Sequence, residues 1–212
     1  MIGLMGGLKL IHAVIKTHTI HGLDIAKVNL CKTLNNMCGI LAVVGKYRYK
    51  EIPQALIERG RDAQGIYEDE HVQLIQTRLQ ITGKQEIPLP LEVGNWVLLF
   101  NGQIFNYKEL NKNFLYNVDF KYDSDFETII HGFWRYGMDF VKMFEGQYAI
   151  FLYNKQTQEH YFFRDELAIR TVYKLEYEDS IIYSSNLRSL PEIKFNKFPT
   201  RGYGNVTNAI EL

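Results

Sequence analysis

The sequence predicts an α+β fold, antiparallel sheets covered by helices, and three observations lead to it. Gly39-Ile40-Leu41-Ala42-Val43-Val44, closed by Gly45, is a short apolar run that reads as a buried strand. Ser124-Asp125-Phe126-Glu127 has the S-x-x-E form of a capping box, and Phe126, Ile129, Ile130, Phe133 and Trp134 then recur at helical spacing as far as Gly137. Beyond it four strand candidates, 147–153, 160–163, 171–175 and 180–184, follow in quick succession between turn residues, as in a meander.

The other elements are read in chain order. Ile52, Ala55, Leu56 and Arg59 suggest a helix from about Tyr49 that Gly60 stops, followed by strands at 71–77 and 96–100 with Pro88-Leu89-Pro90 as loop between them. The composition suits one ordinary domain or two small ones: 212 residues, 46% hydrophobic and 23% charged, with 14% aromatic side chains to fill a core. Lys plus Arg equals Asp plus Glu at 24 each, so no global basic field is present to hold nucleic acid or acidic lipid. No apolar run approaches the ~20 residues of a membrane-spanning helix, and Met1–Leu8 lacks the basic residues that precede a secretory core. Two cysteines, Cys31 and Cys38, make neither a disulfide framework nor a metal-ligand set, so a reducing, cytoplasmic setting with no metal or other cofactor is expected. Residues 1–36 have a different texture, with Lys9, Lys16, Lys27 and Lys32 against a single acid, Asp24; the remainder is mildly acidic.

Cys38 at the head of an apolar strand is, on composition, an inert core thiol. Its neighbour Met37 opens another reading. If translation began there and the methionine were removed, Cys38 would own a free α-amine of pKa about 7.7–8.0, able to take the proton of its own thiol. Met37-Cys38-Gly39-Ile40, Arg59-Gly60-x-Asp62-x-x-Gly65, Arg78-Leu79, Asn101-Gly102 and Ser124-Asp125-x-Glu127 occur in that order. With Phe100 to Tyr107 and Arg164-Asp165-x-Leu167-x-Ile169-Arg170, residues 37 to about 190 resemble the class II glutamine amidotransferase domains, nearest the N-terminal glutaminase domain of asparagine synthetase.

The resemblance implies the N-terminal nucleophile hydrolase fold, a four-layer αββα sandwich of two antiparallel sheets between helices. It implies hydrolysis of L-glutamine to glutamate and ammonia through a thioester on Cys38. The side-chain amide of Asn101 and the backbone N–H of Gly102 would hold the oxyanion; the competing reading of that dipeptide is a hairpin turn. Arg78 would grip the α-carboxylate and Asp125 the α-ammonium, with Leu79, Ile81 and Gln103 as further substrate-binding positions. Plain helix capping for Asp125 and a solvated charge for Arg78 are the competing readings.

Some positions depart from the family. Gln103 stands where asparagine synthetases have a Glu, Glu58 and Arg61 flank the Arg-Gly pair in place of His and Pro, and Ala168 and Thr171 replace a Gly and a Pro. Three segments are expected: 1–37 as an extension absent from the active form, whether a mis-assigned start or a propeptide; 38–190 as the amidotransferase domain; and 191–212 as a tail or connection. With no S-G-G-x-D phosphate loop, a glutaminase subunit passing ammonia to a separate ATP-dependent synthetase or other amide acceptor is expected, and a homodimer is compatible. An N-terminal Cys amidohydrolase acting on a different amide, or a non-catalytic interaction module with Cys38 blocked, are the rival readings.

Overall fold

The computed structural model describes residues 38–79 and 87–191; the extension at 1–37, Ile81 and the segment after Pro191 lie outside them. In chain order the described elements are β1 (Gly39–Gly45), α1 (Gln54–Ile57), β2 (Ala63–Glu68), β3 (Val72–Arg78), β4 (Leu91–Val93), β5 (Trp96–Ile104) and α2 (Tyr107–Phe114). There follow α3 (Asp125–Tyr136), α4 (Met138–Val141), β6 (Gly146–Asn154), β7 (His160–Arg164), β8 (Tyr173–Tyr177), β9 (Ser180–Ser184) and a 3₁₀ turn, Leu187–Ser189.

The strands form two sheets, ordered β2-β3-β1-β9-β8 and β4-β5-β6-β7, and every pairing is antiparallel. Alternation along each strand sorts side chains into layers. Ile40, Ala42, Leu74, Val97, Leu99, Ala149 and Phe151 meet between the sheets. Leu98, Phe100, Ile150 and Leu152, from the opposite faces of β5 and β6, pack under Phe126, Ile129, Ile130 and Phe133 of α3. On the far side Leu41, Val43 and Ile75 are closed by Leu56 of the short α1. This is the expected α+β sandwich, with one thick helical layer and one thin.

Five expectations need correction. The helix from Tyr49 shrinks to Gln54–Ile57, because Pro53 restricts Ile52 and the buried Gln73 takes both backbone groups of Tyr49, donating to its carbonyl at 3.0 Å and accepting from its N–H at 2.8 Å. The strand at 96–100 runs on to Ile104, so Asn101-Gly102 lies within β5 and not in a hairpin turn. The capping box is not closed: Ser124 is the N-cap residue, but its hydroxyl is buried without a partner among the described residues. Glu127 instead accepts from the backbone N–H groups of Lys121 and Tyr122 at 3.1 and 2.6 Å. Trp134, counted on the apolar stripe of α3, is 67% exposed. The strand expected at 171–175 is displaced by two residues to Tyr173–Tyr177.

Candidate active site

Gly39 pairs with Thr77, so Cys38 stands one step further on, beside Arg78. By the same alternation Cys38 shares the inter-sheet face of β1 with Ile40, and Arg78 shares that of β3 with Gln76 and Leu74. Ile40 is fixed from the other neighbour, its N–H donating to the Ser185 hydroxyl at 3.0 Å and its carbonyl accepting from the Ser185 N–H at 3.0 Å. The end of α1 closes in behind. A Cβ on Gly60 would come within 2.5 Å of the Arg78 nitrogen, so only glycine lets the chain cross β3 there.

Burial pushes the Cys38 thiol above its ordinary range, while the Leu79 backbone N–H, the Arg78 cation, its own backbone and the Arg170 cation pull it back. Arg59 belongs to the same group: burial and the charge of Arg170 lower it, and Cys38 raises it. Arg170 is carried in by Asp165, whose carboxylate accepts from the N–H groups of Ile169 at 2.8 Å and Arg170 at 3.1 Å. That loop holds Ala168 at φ 53°, a left-handed conformation at the position where the family resemblance has glycine.

The second half of the site lies on β5. Its partner β4 reaches only to Leu91, opposite Leu98, so from Leu99 onward β5 is paired on one side alone, with β6. Tyr148, opposite Gly102, sends its N–H to Asp165 Oδ2 at 3.2 Å and takes the Asp165 N–H on its carbonyl at 3.0 Å, both away from β5. Gly102 and Tyr148 are therefore a non-hydrogen-bonded pair, and the Gly102 N–H points out of the bare edge. Its neighbours on that edge agree. The Phe100 carbonyl accepts from Gln76 Nε2 at 2.8 Å, and the Ile104 N–H donates to Asp125 Oδ2 at 2.9 Å. Gly102 has φ 155°, and a Cβ there would strike the Gln147 carbonyl oxygen.

Asn101, one residue along, faces between the sheets like Leu99. It is 1% exposed, and its Nδ2 has no hydrogen-bond partner among the described residues. A buried donor left so costs about 1–3 kcal/mol, the signature of a group arranged for something other than stability. Gln103 follows on the same face at the exposed rim.

Asp125, in the first turn of α3, is pushed up to about 6 by burial, against the Ile104 N–H, its own helix terminus and the Arg78 cation. Arg78 rests over the Phe126 ring at 5.5 Å, and Phe126 stands edge-on to Phe100 at 4.9 Å. The structure thus groups Cys38, Arg78 and Leu79 at one end of the inter-sheet layer, with Asp125 against Arg78 and Gly102 between the two anchors of the β5 edge. Ile81 lies outside the described residues. Sequence reasoning assigned no site role to Gln76, Arg59, Arg170, Asp165 or Ser185, although Arg59, Asp165 and Arg170 stood within the quoted motifs and Gln76 is polar at an inward position of an apolar strand.

The site therefore joins a cysteine heading an inter-sheet strand, an arginine and a buried carboxylate, and, on β5, a buried amide donor with no partner among the described residues. The chain belongs to the glutamine amidotransferase domain family, whose model matches residues 37–201. It is 33% identical over 79% of its length to a probable asparagine synthetase [glutamine-hydrolyzing] of Dictyostelium discoideum. It is 29% identical over 73% to asparagine synthetase [glutamine-hydrolyzing] 1 of Bacillus subtilis, and 32% over 77% to that of Arabidopsis thaliana. The chain spans 33%, 26% and 30% of these three relatives. No helix among the described residues is long and apolar enough to cross a membrane.

Proposed function

We propose that the chain hydrolyses the side-chain amide of L-glutamine to glutamate and ammonia, with Cys38 as nucleophile. The observation that carries this reading is the buried, unpartnered Nδ2 of Asn101 beside the outward Gly102 N–H. Adjacent residues of β5 thus offer two donors of the kind an oxyanion needs, one of them buried with no partner among the described residues. The active form begins at Cys38, since its nitrogen acts as a base only when free of the bond to Met37. Residues 1–37 are then absent from it, whether as a mis-assigned start or a propeptide.

The α-amine takes the thiol proton, and sulfur attacks the carboxamide carbon. The resulting oxyanion rests on Asn101 Nδ2 and the Gly102 N–H, the nitrogen leaves as ammonia with the proton returned by the amine, and water then cleaves the thioester. Arg78 holds the substrate carboxylate and Asp125 its ammonium, while Leu79 and the uncharged Gln103 line the approach. The relatives named above are asparagine synthetases that hydrolyse glutamine, so an ATP-dependent synthetase is the proposed consumer of the ammonia, in a cytoplasmic setting. The domain in this reading spans 38–190.

The test is to express the chain from Met37, verify Cys38 as the first residue by mass spectrometry, and measure glutamate formed from glutamine. Turnover is expected there, and Cys38→Ala is expected to lose at least about 1000-fold. Equal turnover by Cys38→Ala would falsify the proposal.

A further inference from the structure

We propose that Gln76 is a positioning residue for the oxyanion site, acting as a one-residue substitute for the strand that β5 lacks. This rests on the glutaminase reading above. The need is visible in the pairing. β4 stops opposite Leu98, and everything the site takes from β5 comes from the stretch beyond it, Leu99 to Ile104, which has a ladder on β6 only. A strand paired on one side twists and frays more freely than one paired on both. Yet the Gly102 N–H and the Asn101 amide must be held to within about 1 Å to stabilise a developing charge.

Two side chains supply the missing edge. Asp125 takes the Ile104 N–H at 2.9 Å, two residues after Gly102. Gln76 gives Nε2–H to the Phe100 carbonyl at 2.8 Å, two residues before it. These are same-side positions of β5, so the two bonds bracket Gly102 and fix the peptide planes on either side of it. The Gln76 bond holds the Phe100–Asn101 peptide directly, and that peptide sets the direction in which the Asn101 side chain leaves the strand.

Gln76 is also placed to relate the two halves of the site. It lies on β3, opposite Ile40 and two residues before Arg78, so its bond ties the nucleophile's sheet to the strand that carries the donors. It is 0% exposed, and its Oε1 is buried with no partner among the described residues. Burying an amide with half its capacity unmet is unfavourable where Met or Leu would fill the layer, so the polar group is explained by what its donor holds and not by packing. Asp125 has a duty toward substrate as well as toward the edge; Gln76 has the edge alone.

The experiment compares parent, Gln76→Met, Asn101→Ala and the double variant, in whichever form of the chain turns over glutamine in the assay above. Met keeps the volume and removes the donor. A role through the oxyanion donors predicts that Gln76→Met lowers kcat about 10- to 100-fold with KM within about twofold. In the Asn101→Ala background the same change should cost less than about threefold, because the group it positions is gone. A merely structural role would move KM and kcat together or add fully to Asn101→Ala, and either result overturns the assignment, as does unchanged kcat. If Gln76→Met does not fold, the parent answers by NMR: a coupling across the hydrogen bond from Gln76 Nε2 to the Phe100 carbonyl carbon is expected, and its absence overturns the inference. Parent protein without turnover in any form removes the glutaminase reading itself, an outcome separate from an active parent with an indifferent Gln76.

Discussion

The two halves of β5 are built from one continuous strand and put to different uses. From Trp96 to Leu98 the strand is paired with β4 on one side and β6 on the other; Val97 and Leu98 are buried apolar side chains facing opposite cores. From Leu99 to Ile104 the β4 side is bare, and there the residues turn polar or small: Asn101, Gly102, Gln103. Where the ladder is complete, every backbone group has a backbone partner and nothing is left over for a ligand. Where it is incomplete, Gln76 and Asp125 occupy two of the free positions and leave a donor between them. The site exists because the sheet stops short.

The sharpest way to test that contrast is one truncation in each half. Asn101→Ala is expected to lower kcat about 100- to 1000-fold, since it removes one of the two proposed oxyanion donors, while the melting temperature holds or rises because a buried amide with no partner among the described residues is gone. Leu98→Ala, three residues away and fully buried, is expected to cost about 2–5 kcal/mol of stability in denaturant unfolding, with kcat per folded molecule unchanged. Comparable losses of both quantities in the two variants would erase the functional division of the strand.

Asp125 anchors the Ile104 N–H and is also the proposed ligand of the substrate ammonium, and its ionisation separates the two roles. Its folded value of about 6 lies above the ordinary 3.8, so between those values the folded protein holds a proton that the unfolded chain has released. Stability from this residue is therefore lost as pH rises through that window, and at pH 7 the buried carboxylate is a net cost. Asp125→Asn should stabilise the fold at pH 7 by about 2–3 kcal/mol, a gain that vanishes below pH 4. Activity runs the other way. A carboxylate that holds an ammonium must be ionised, so kcat/KM should fall tenfold per unit below about pH 6, and Asp125→Asn should raise KM at least tenfold at pH 7. A flat acid limb in the parent would remove Asp125 from substrate binding.

What could be read from the residues divides along the same line. The apolar strands, α3 and its stop at Gly137 were legible because each is a local pattern: an apolar run, a 3.6-residue stripe, a glycine at positive φ. The pair Cys38 and Arg78 was legible as motif. The open direction of the Gly102 N–H was not, because it depends on which of two registers β5 and β6 adopt, and nothing within β5 specifies that. Gln76 was passed over for a related reason: its partner, the Phe100 carbonyl, is 24 residues away on the other sheet. Elements with little buried surface were missed as well. β2 is a largely exposed edge strand, and α2 buries Leu110 alone.

The smallest effect concerns a pattern that was read correctly and a structure that does not use it. Ser124 and Glu127 have the spacing of a capping box, and Ser124 is the N-cap residue with extended backbone, yet no hydrogen bond joins its side chain to the helix. Glu127 is taken by the Lys121 and Tyr122 N–H groups, which fold the incoming chain over the first turn. The macrodipole is met by Asp125 instead, so the cap duty has moved one residue along, to the carboxylate that also faces Arg78. Removing a working serine cap costs about 1 kcal/mol. Ser124→Ala should therefore cost less than about 0.3 kcal/mol, or stabilise slightly, because it deletes a buried hydroxyl that has no partner among the described residues. Glu127→Ala, which removes a buried carboxylate that holds the Lys121 and Tyr122 N–H groups, should cost about 2 kcal/mol in the same unfolding measurement. The reverse order would mean that the box closes in solution and that Asp125 is released for the ligand alone.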